Sequence, residues 1–480
     1  MDVDPAGLDV IEEYSMGPVK VYITTDGRYM VREPPVGDGA SALYDTILKR
    51  ISSGVDLGDD GPDSGVLAAR LEEAFWDTAG RLKKLGEAKE IFPDLKYYIR
   101  REIIGYGILD PLMRDPDIED ILCSAYQRDV RVVHKRYSGR FHTLCTNVRF
   151  EGEDDMERFI QRIYGRTGTE PTDARPMSVT YMDDGSRISS TYGSQVSKPG
   201  PSISIRKFPS EPFTITHMLY SGTLTAPMAA YLWTLLDAKA VGLVIGATGS
   251  GKTTLLASLI SMLNPRWRIL TIEDTLELQI PHEDWVRLNT RRSYGMLSDK
   301  FDVTIRHLID ISLTQKPDYE IVGEIRLNDM DALFQSVGTG HGGLTSFHAS
   351  SAEGALTRMR GNKISDGELG LLWFAARSGV IRRSGKSVRR VTSISEVIPG
   401  VHGTVRTEPV YTYDRRSDGF VLHGDITSHK RYAEALDICG IDDPGADMEK
   451  RIGLLEKCME KKALNIKAVF GILSEYYSLK

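Results

Sequence analysis

A chain of 480 residues is too long for a single compact core, so we expect two or three domains. Hydrophobic residues make up 41% and charged residues 26% of it, which is ordinary for a globular protein. The net charge of -7 argues against nucleic acid as the main partner, because dedicated nucleic-acid binders usually carry a large positive excess.

The cysteines and the N-terminal sequence bear on the cellular compartment. None of the four cysteines forms a C-x-x-C pair, which favours reduced thiols in the cytosol over a zinc ribbon. Residues 1–13 are acidic and lack the apolar segment of a signal peptide, and no run approaches the roughly 18 apolar residues of a membrane span. The sequence therefore predicts a cytoplasmic protein that reaches a membrane only through partners.

Composition and periodicity divide the chain into four predicted regions. Residues 1–100 mix short strand-like runs with a helical pattern, and residues 101–210 predict an α+β domain that ends in a proline-rich linker near 208–214. Residues 211–425 alternate apolar runs with helical patterns, which is typical of an α/β domain with a largely parallel sheet. Residues 426–480 predict a charged, helical C-terminal extension.

A glycine-rich loop follows the apolar run at residues 240–245 and precedes a helical pattern, which is the context of a phosphate-binding loop. In such a loop, backbone N–H groups and the N-terminus of the helix bind phosphate. Lys252 would contact the β- and γ-phosphates, and the Thr253 hydroxyl would bind Mg²⁺. The sequence therefore predicts ATP and Mg²⁺ as cofactors, held by Gly246, Ala247, Thr248, Gly249, Ser250, Gly251, Lys252, Thr253 and Thr254.

Two strand ends downstream carry the carboxylates that hydrolysis requires. The strand at 268–272 ends in Glu273, our candidate for the base that activates water, with Glu277 as its rival; the alternative is that these acids cap the next element. The strand at 319–323 ends in Glu324, which would orient water in the Mg²⁺ shell. Arg326 would either pair with a carboxylate or sense the γ-phosphate.

Two histidines, His341 and His348, lie seven residues apart in the segment 339–349. A metal site is disfavoured, because no carboxylate or cysteine stands at ligand spacing beside them. A neutral histidine that hydrogen-bonds Glu324 or reports on the γ-phosphate fits the pattern better.

Taken in order, these motifs resemble the secretion ATPase superfamily, which powers type II and type IV secretion, type IV pili and the archaellum. The acids at 273–277 correspond to its Asp box, residues 322–326 to Walker B, and residues 339–348 to its His box. Residues 104–113 and 118–121 look like the archaeal branch. The resemblance implies a RecA-like P-loop NTPase domain preceded by an α+β N-terminal domain.

The same resemblance implies further properties. Arg187 and Arg206 would be arginine fingers that reach the nucleotide, although from the residues alone they are surface or linker arginines. The subunit would form a homo-hexamer at the inner face of the membrane, bound to a polytopic platform protein and driving pilin-like subunits, with no nucleic acid. The sequence does not decide whether the protein serves a pilus, an archaellum or a secretion system. A RecA-like nucleic-acid translocase and a non-hydrolysing nucleotide switch are the alternative functions.

A basic cluster has no role in these motifs. Its charges predict a solvated turn, and the alternative is a contact with a membrane or a partner. Its members are Arg382, Arg383, Lys386, Arg389 and Arg390.

Overall fold

The computed structural model describes residues 7–35, 64–167, 171–172, 175–182, 184–194, 196–208, 212–291, 302–383, 386–400 and 403–478. The chain divides into two units, Met1–Pro209 and Ser210–Lys480. Residues 209–211 of the predicted linker lie outside the described residues. No helix in the described ranges is both long enough and apolar enough to cross a membrane.

The first unit is built on a nine-stranded sheet in the order β1-β2-β3-β6-β5-β4-β9-β8-β7. Neighbouring strands are antiparallel except β3 and β6, which are parallel. The strands are β1 Val10–Met16, β2 Val19–Thr24, β3 Arg28–Arg32, β4 Ile118–Cys123, β5 Arg131–His134, β6 Leu144–Thr146, β7 Met177–Tyr181, β8 Arg187–Thr191 and β9 Ser202–Arg206. The helices are α1 Ser64–Arg81, α2 Leu85–Ile103, α3 Asp110–Arg114 and α4 Glu153–Thr167.

Alternation along the strands decides which face of this sheet is buried. In β9, Ile203 and Ile205 are buried while the intervening serines are only partly covered, as a period of two requires. Strands β1 to β3 join the same sheet through the pairing of β3 with β6. The predicted boundary at residue 100 therefore differs from the structure, because strands on both sides of it share one sheet.

The second unit holds another nine-stranded sheet, in the order β12-β11-β13-β14-β10-β15-β16-β17-β18. It is parallel from β12 to β15 and antiparallel from β15 to β18. The strands are β10 Val241–Ile245, β11 Ile269–Glu273, β12 Trp285–Asn289, β13 Tyr319–Val322, β14 Gly342–Phe347, β15 Leu372–Arg383, β16 Lys386–Pro399, β17 Val405–Asp414 and β18 Gly419–Leu422.

Helices cover this second sheet on both faces. They are α5 Ile215–Tyr220, α6 Ala226–Asp237, α7 Lys252–Ile260, α8 Ile305–Ser312, α9 Met330–Val337, α10 Ala352–Gly361, α11 Asp366–Leu369, α12 Lys430–Cys439, α13 Pro444–Glu460 and α14 Ile466–Ser478. Every residue of β10 is buried, because a central parallel strand is covered on both sides. Val244 and its neighbour Leu243 accordingly belong to two different hydrophobic clusters.

The C-terminal helices are part of the core of the second unit. Tyr432, Leu455 and Val469 belong to the same hydrophobic cluster as Val244. The fully buried Arg451 of α13 forms an ion pair of 2.8 Å with Asp237 at the end of α6. The predicted boundary at residue 425 therefore also differs from the structure, because these helices bury their apolar faces in the core of the second unit.

Candidate nucleotide site

The parallel strands of the second sheet all end at one edge, which is where open α/β folds bind ligands. The phosphate loop follows β10, Glu273 is the last residue of β11, Glu324 lies just beyond β13, and His348 follows β14 directly. Because β11, β13, β14 and β10 are consecutive neighbours, the fold gathers these predicted residues along one edge.

The phosphate loop passes into α7 through Gly251, which has a φ of 91° at the start of the helix. An L-residue rarely adopts this conformation, so glycine is required here. A Cβ atom at this position would also lie 3.2 Å from Cδ of Arg389. The loop thus forms a cradle of backbone at the N-terminus of α7, the arrangement that binds phosphate.

Lys252, His348 and Glu324 form a continuous chain beside the loop. Nζ of Lys252 lies 3.3 Å from Nδ1 of His348 and donates to the Ala247 carbonyl at 3.2 Å. Nε2 of His348 lies 2.8 Å from Oε1 of Glu324. Because an ammonium group can only donate, the tautomer that satisfies both contacts is the one in which Nδ1 accepts from Lys252 and Nε2 donates to Glu324. The imidazole of His348 thus lies between the lysine of the phosphate loop and the Walker B acid.

Backbone and side-chain bonds hold Glu324 and His348 in register. The Ser346 hydroxyl donates to the Gly323 carbonyl at 2.7 Å. The Ile325 N–H donates to the Ser346 carbonyl at 3.0 Å. These two bonds join the loop after β13 to strand β14.

Glu273 is only 2% exposed and lies beside the Walker B strand. Its Oε1 accepts the N–H groups of Glu277 and Leu278 at 2.8 and 2.9 Å. Burial raises the pKa of Glu273 to about 7 in spite of those two bonds. A Cβ atom at Gly323 would lie 3.3 Å from Cγ of Glu273, so glycine permits this close approach. Glu273 both shapes the following turn and has a pKa suited to proton transfer near neutrality.

Glu277 and Arg326 also lie at this edge of the sheet, and each contacts an acidic residue there. Glu277 is half-buried, and its backbone gives Glu273 one of its two hydrogen bonds. Arg326 pairs with Asp274 at 3.3 Å, which matches one of the two roles that the sequence allowed for it. The assignment of the base to Glu273 or Glu277 stays a prediction.

His341 lies at the opposite end of β14 from His348. Its Nε2 lies 3.6 Å from Oε2 of Glu320 and 3.1 Å from the Ser336 hydroxyl. Glu320 is completely buried, and burial raises its pKa to about 7. The seven residue steps from His341 to His348, at about 3.3 Å each, separate the two histidines by roughly 23 Å. The structure thus brings His348 to the phosphate loop but not His341.

Arg187 and Arg206 belong to the first unit, where they are directly opposite each other on β8 and β9. Both are exposed, and Nε of Arg206 donates to Asp120 at 3.0 Å. Opposite residues of an antiparallel pair project from the same face, so the two guanidinium groups form one basic feature. Their contact with nucleotide stays a prediction.

Strands β15 and β16 supply two neighbours of the loop that the motifs did not reveal. The Ser378 hydroxyl donates to the Ser250 carbonyl at 2.5 Å. Nε of Arg389 would lie 3.6 Å from a Cβ atom at Gly251. Arg389 was counted in the basic cluster, and that cluster was the only signal in the sequence that could have pointed to it.

The rest of the basic cluster is divided in space. Arg390 is buried and pairs with Asp418 at 3.2 Å, and Arg383 pairs with the same carboxylate at 3.4 Å. The side chain of Lys386 lies outside the described residues. Arg382 and Arg383 end β15, and Arg389 and Arg390 lie in β16, so these four members belong to strands and not to a turn.

The residues present fit a nucleotide with Mg²⁺. Thr253 is half-buried in the first turn of α7, and Glu324 offers a 54% exposed carboxylate at the same edge. Hydroxyl and carboxylate oxygens are the hard ligands that Mg²⁺ prefers. Strand order, phosphate loop and strand-end acids together define a RecA-like P-loop NTPase domain, preceded here by an α+β unit.

The chain belongs to the type II/IV secretion system protein family, whose model matches residues 116–371. An uncharacterized protein of Methanocaldococcus jannaschii is 32% identical over 419 residues, covering 85% of this chain and 74% of that protein. VirB11 of Agrobacterium fabrum is 39% identical over 125 residues, 26% of this chain and 36% of its own. The Legionella pneumophila ATPase DotB is 16% identical over 76% of this chain and 94% of its own, with a TM-score of 0.44.

Proposed function

We propose that this protein is an ATP-hydrolysing motor of a type II/IV secretion, pilus or archaellum system. The observation that carries the proposal is the chain Lys252–His348–Glu324 at the edge of the parallel sheet. A loop that only bound nucleotide would not require a second strand end to present an acid and an imidazole to its lysine. Membership of the secretion family gives this chemistry its biological setting.

In the proposed reaction, water attacks the γ-phosphorus of ATP, the bond to the bridging oxygen breaks, and ADP and phosphate leave. Lys252 would neutralise charge on the β- and γ-phosphates, and Thr253 and Glu324 would hold Mg²⁺, which supplies electrostatic stabilisation when bound. The proton of the attacking water would pass to Glu273 or Glu277. Lys252 would exchange His348 for phosphate, which would leave His348 to position Glu324.

We further propose a homo-hexamer in which Arg187 and Arg206 complete the nucleotide site. Hydrolysis would then change how the two units of the subunit are arranged, and that movement would be transmitted to a polytopic membrane protein that handles pilin-like subunits. The resemblance of residues 104–113 and the similarity to the M. jannaschii protein support the archaeal branch.

The test is ATP turnover by the purified full chain with Mg²⁺, together with its mass in solution with and without nucleotide. We expect slow Mg²⁺-dependent hydrolysis that is lost in Glu324→Gln, while Lys252→Ala also weakens ATP binding. Binding without turnover or assembly would instead support a nucleotide switch. Strong stimulation by DNA or RNA would support a translocase.

A further inference from the structure

The first unit contains a group of potential metal ligands that plays no part in the proposed nucleotide chemistry. One oxygen of Asp115, one oxygen of Asp117 and one ring nitrogen of His134 all lie within 4.8 Å of one another. The acids immediately precede β4, and His134 is the last residue of β5, where it is paired with Ile118. Antiparallel pairing of β4 and β5 therefore brings the three side chains together.

His134 is the unusual member of this group. It is 1% exposed, and neither of its ring nitrogens has a hydrogen-bond partner among the residues that the structure describes. Its ring is flanked by Tyr29 and Tyr137, with ring centroids 6.2 and 5.2 Å away. Buried polar groups are nearly always satisfied, so an unpartnered imidazole beside two carboxylates points to a ligand.

Hydrogen bonds from neighbouring groups orient the carboxylate of Asp115 for such a ligand. It is completely buried, and its carboxylate accepts the hydroxyls of Tyr14 and Tyr29, the latter at 2.6 Å, and the Asp117 N–H at 2.8 Å. A carboxylate has about four acceptor positions, so one remains. Donors that orient a ligating carboxylate from behind are a regular feature of metal sites.

Asp117 provides the access from solvent. Its side chain is 34% exposed and pairs with Arg136 at 2.9 Å. Arg136 also pairs with Glu12, so it keeps a partner when Asp117 turns towards a cation. The positive charges of Arg136 and of Lys207, which donates to the Leu112 carbonyl at 3.2 Å, balance the two acids and will moderate the affinity.

We propose that Asp115, Asp117 and His134 bind one divalent transition-metal ion, Zn²⁺ being the best match. A set of one imidazole nitrogen and two carboxylate oxygens suits Zn²⁺, whereas Mg²⁺ prefers an all-oxygen octahedron. Tetrahedral ligands about 2.1 Å from Zn²⁺ stand roughly 3.4 Å apart, so rotation of Asp117 has to close the remaining gap. Bound metal would tie β4 and β5 to β1 and β3 through Tyr14 and Tyr29.

The experiment uses the full chain, treated with a chelator and then titrated with Zn²⁺ alone by calorimetry and by thermal melting. We expect one equivalent to bind and to raise the melting temperature, with excess Mg²⁺ unable to displace it. His134→Phe keeps the ring packing but removes the ligand, and Asp117→Asn changes a partly exposed side chain. Each should weaken Zn²⁺ binding by more than about tenfold, as expected for loss of a ligand.

His142→Ala is the matched control, because His142 is an exposed histidine of the same unit and should leave binding unchanged. If wild-type protein does not bind Zn²⁺, the proposal is wrong. It is equally wrong if Asp117→Asn binds Zn²⁺ as tightly as wild type, since the metal would then lie elsewhere, for example on cysteines. Asp117→Asn keeps the test decisive even if His134→Phe does not fold.

Discussion

His348 donates the proton of Nε2 to the carboxylate of Glu324 across 2.8 Å, while its other ring nitrogen faces Lys252 at 3.3 Å. One imidazole thus connects the end of β14 with both the Walker B acid and the lysine of the phosphate loop. A group in this position responds when phosphate draws the lysine away. In the proposed mechanism it would link nucleotide binding to the orientation of the acid.

The first prediction concerns this histidine. His348→Ala should lower kcat for ATP by about 10²-fold or more, the usual contribution of a positioned proton-transfer or orienting group, with little change in stability because the side chain is 40% exposed. His348→Gln should recover part of the activity, since an amide can still donate to Glu324. Steady-state ATPase assays and thermal melting measure both effects, with His142→Ala as control. Full activity of His348→Ala would contradict the proposed chain.

The second prediction is a pH dependence that originates at Glu273. Its pKa is raised from 4.5 to about 7 by burial, so the unfolded chain loses this proton at lower pH than the folded chain. Protonation of Glu273 therefore makes its full contribution to the free energy of unfolding below about pH 4.5, and this contribution is lost as the pH rises towards 7. Glu273→Gln keeps the acceptor for both backbone N–H groups and removes the titration. Relative to wild type, its free energy of unfolding should rise by on the order of 2–3 kcal/mol between pH 4.5 and 8.

Glu320→Gln is the matched control for that experiment. Glu320 is also buried with a pKa raised to about 7, but it lies at the opposite end of the strands from the phosphate loop. Both variants should show the same change of stability with pH, measured by chemical denaturation. Only Glu273→Gln should lose turnover. Retained turnover in Glu273→Gln would assign the base to Glu277.

The third prediction concerns Arg389, whose side chain runs beside Gly251 at the N-terminus of α7. Arg389→Ala should raise KM for ATP by about tenfold with a smaller effect on kcat, because the lost charge attracts phosphate in both the ground state and the transition state. Arg382→Ala, an exposed arginine from the same basic cluster, should leave KM unchanged. Equal effects of the two substitutions would show that general charge, and not the place of Arg389, is responsible.

The fourth prediction tests the arginine pair of β8 and β9. Arg206→Ala should cost little stability, because the Arg206 side chain is 64% exposed, yet it should abolish turnover in the assembly. If the arginine acts on a neighbouring subunit, a mixture of Arg206→Ala and Lys252→Ala proteins should regain part of the activity. Arg149→Ala is the control, since that side chain is also exposed and weakly paired. Normal turnover in both Arg206→Ala and Arg187→Ala would exclude the pair from the site.

The phosphate loop and the strand-end acid Glu324 were predictable from sequence because each is a local pattern with its own flanking strand. The short apolar runs at residues 240–245 and 319–323 likewise predicted the buried strands that carry them. In contrast, the sequence assigns both His341 and His348 to the His box. A strand of six residues between them places the two side chains at opposite edges of the sheet. Counting residues along that strand would have separated them.

Relationships between distant segments were not predictable from sequence. The place of Arg389 beside Gly251 depends on how the β15–β16 hairpin lies against β10. The pairing of β3 with β6 spans the predicted boundary at residue 100. The convergence of Asp115, Asp117 and His134 depends on a register between two strands. Local periodicity carries no information about any of these contacts.

The buried contacts of α14 have a consequence for how the protein is made. The indole N–H of Trp233 in α6 donates to the hydroxyl of Tyr477 at 2.8 Å, and the guanidinium of Arg451 donates to the hydroxyl of Tyr476 at 2.7 Å. The phosphate loop leaves the ribosome long before these tyrosines are synthesised. The unit that holds it therefore cannot complete its core until residues 476 and 477 have emerged.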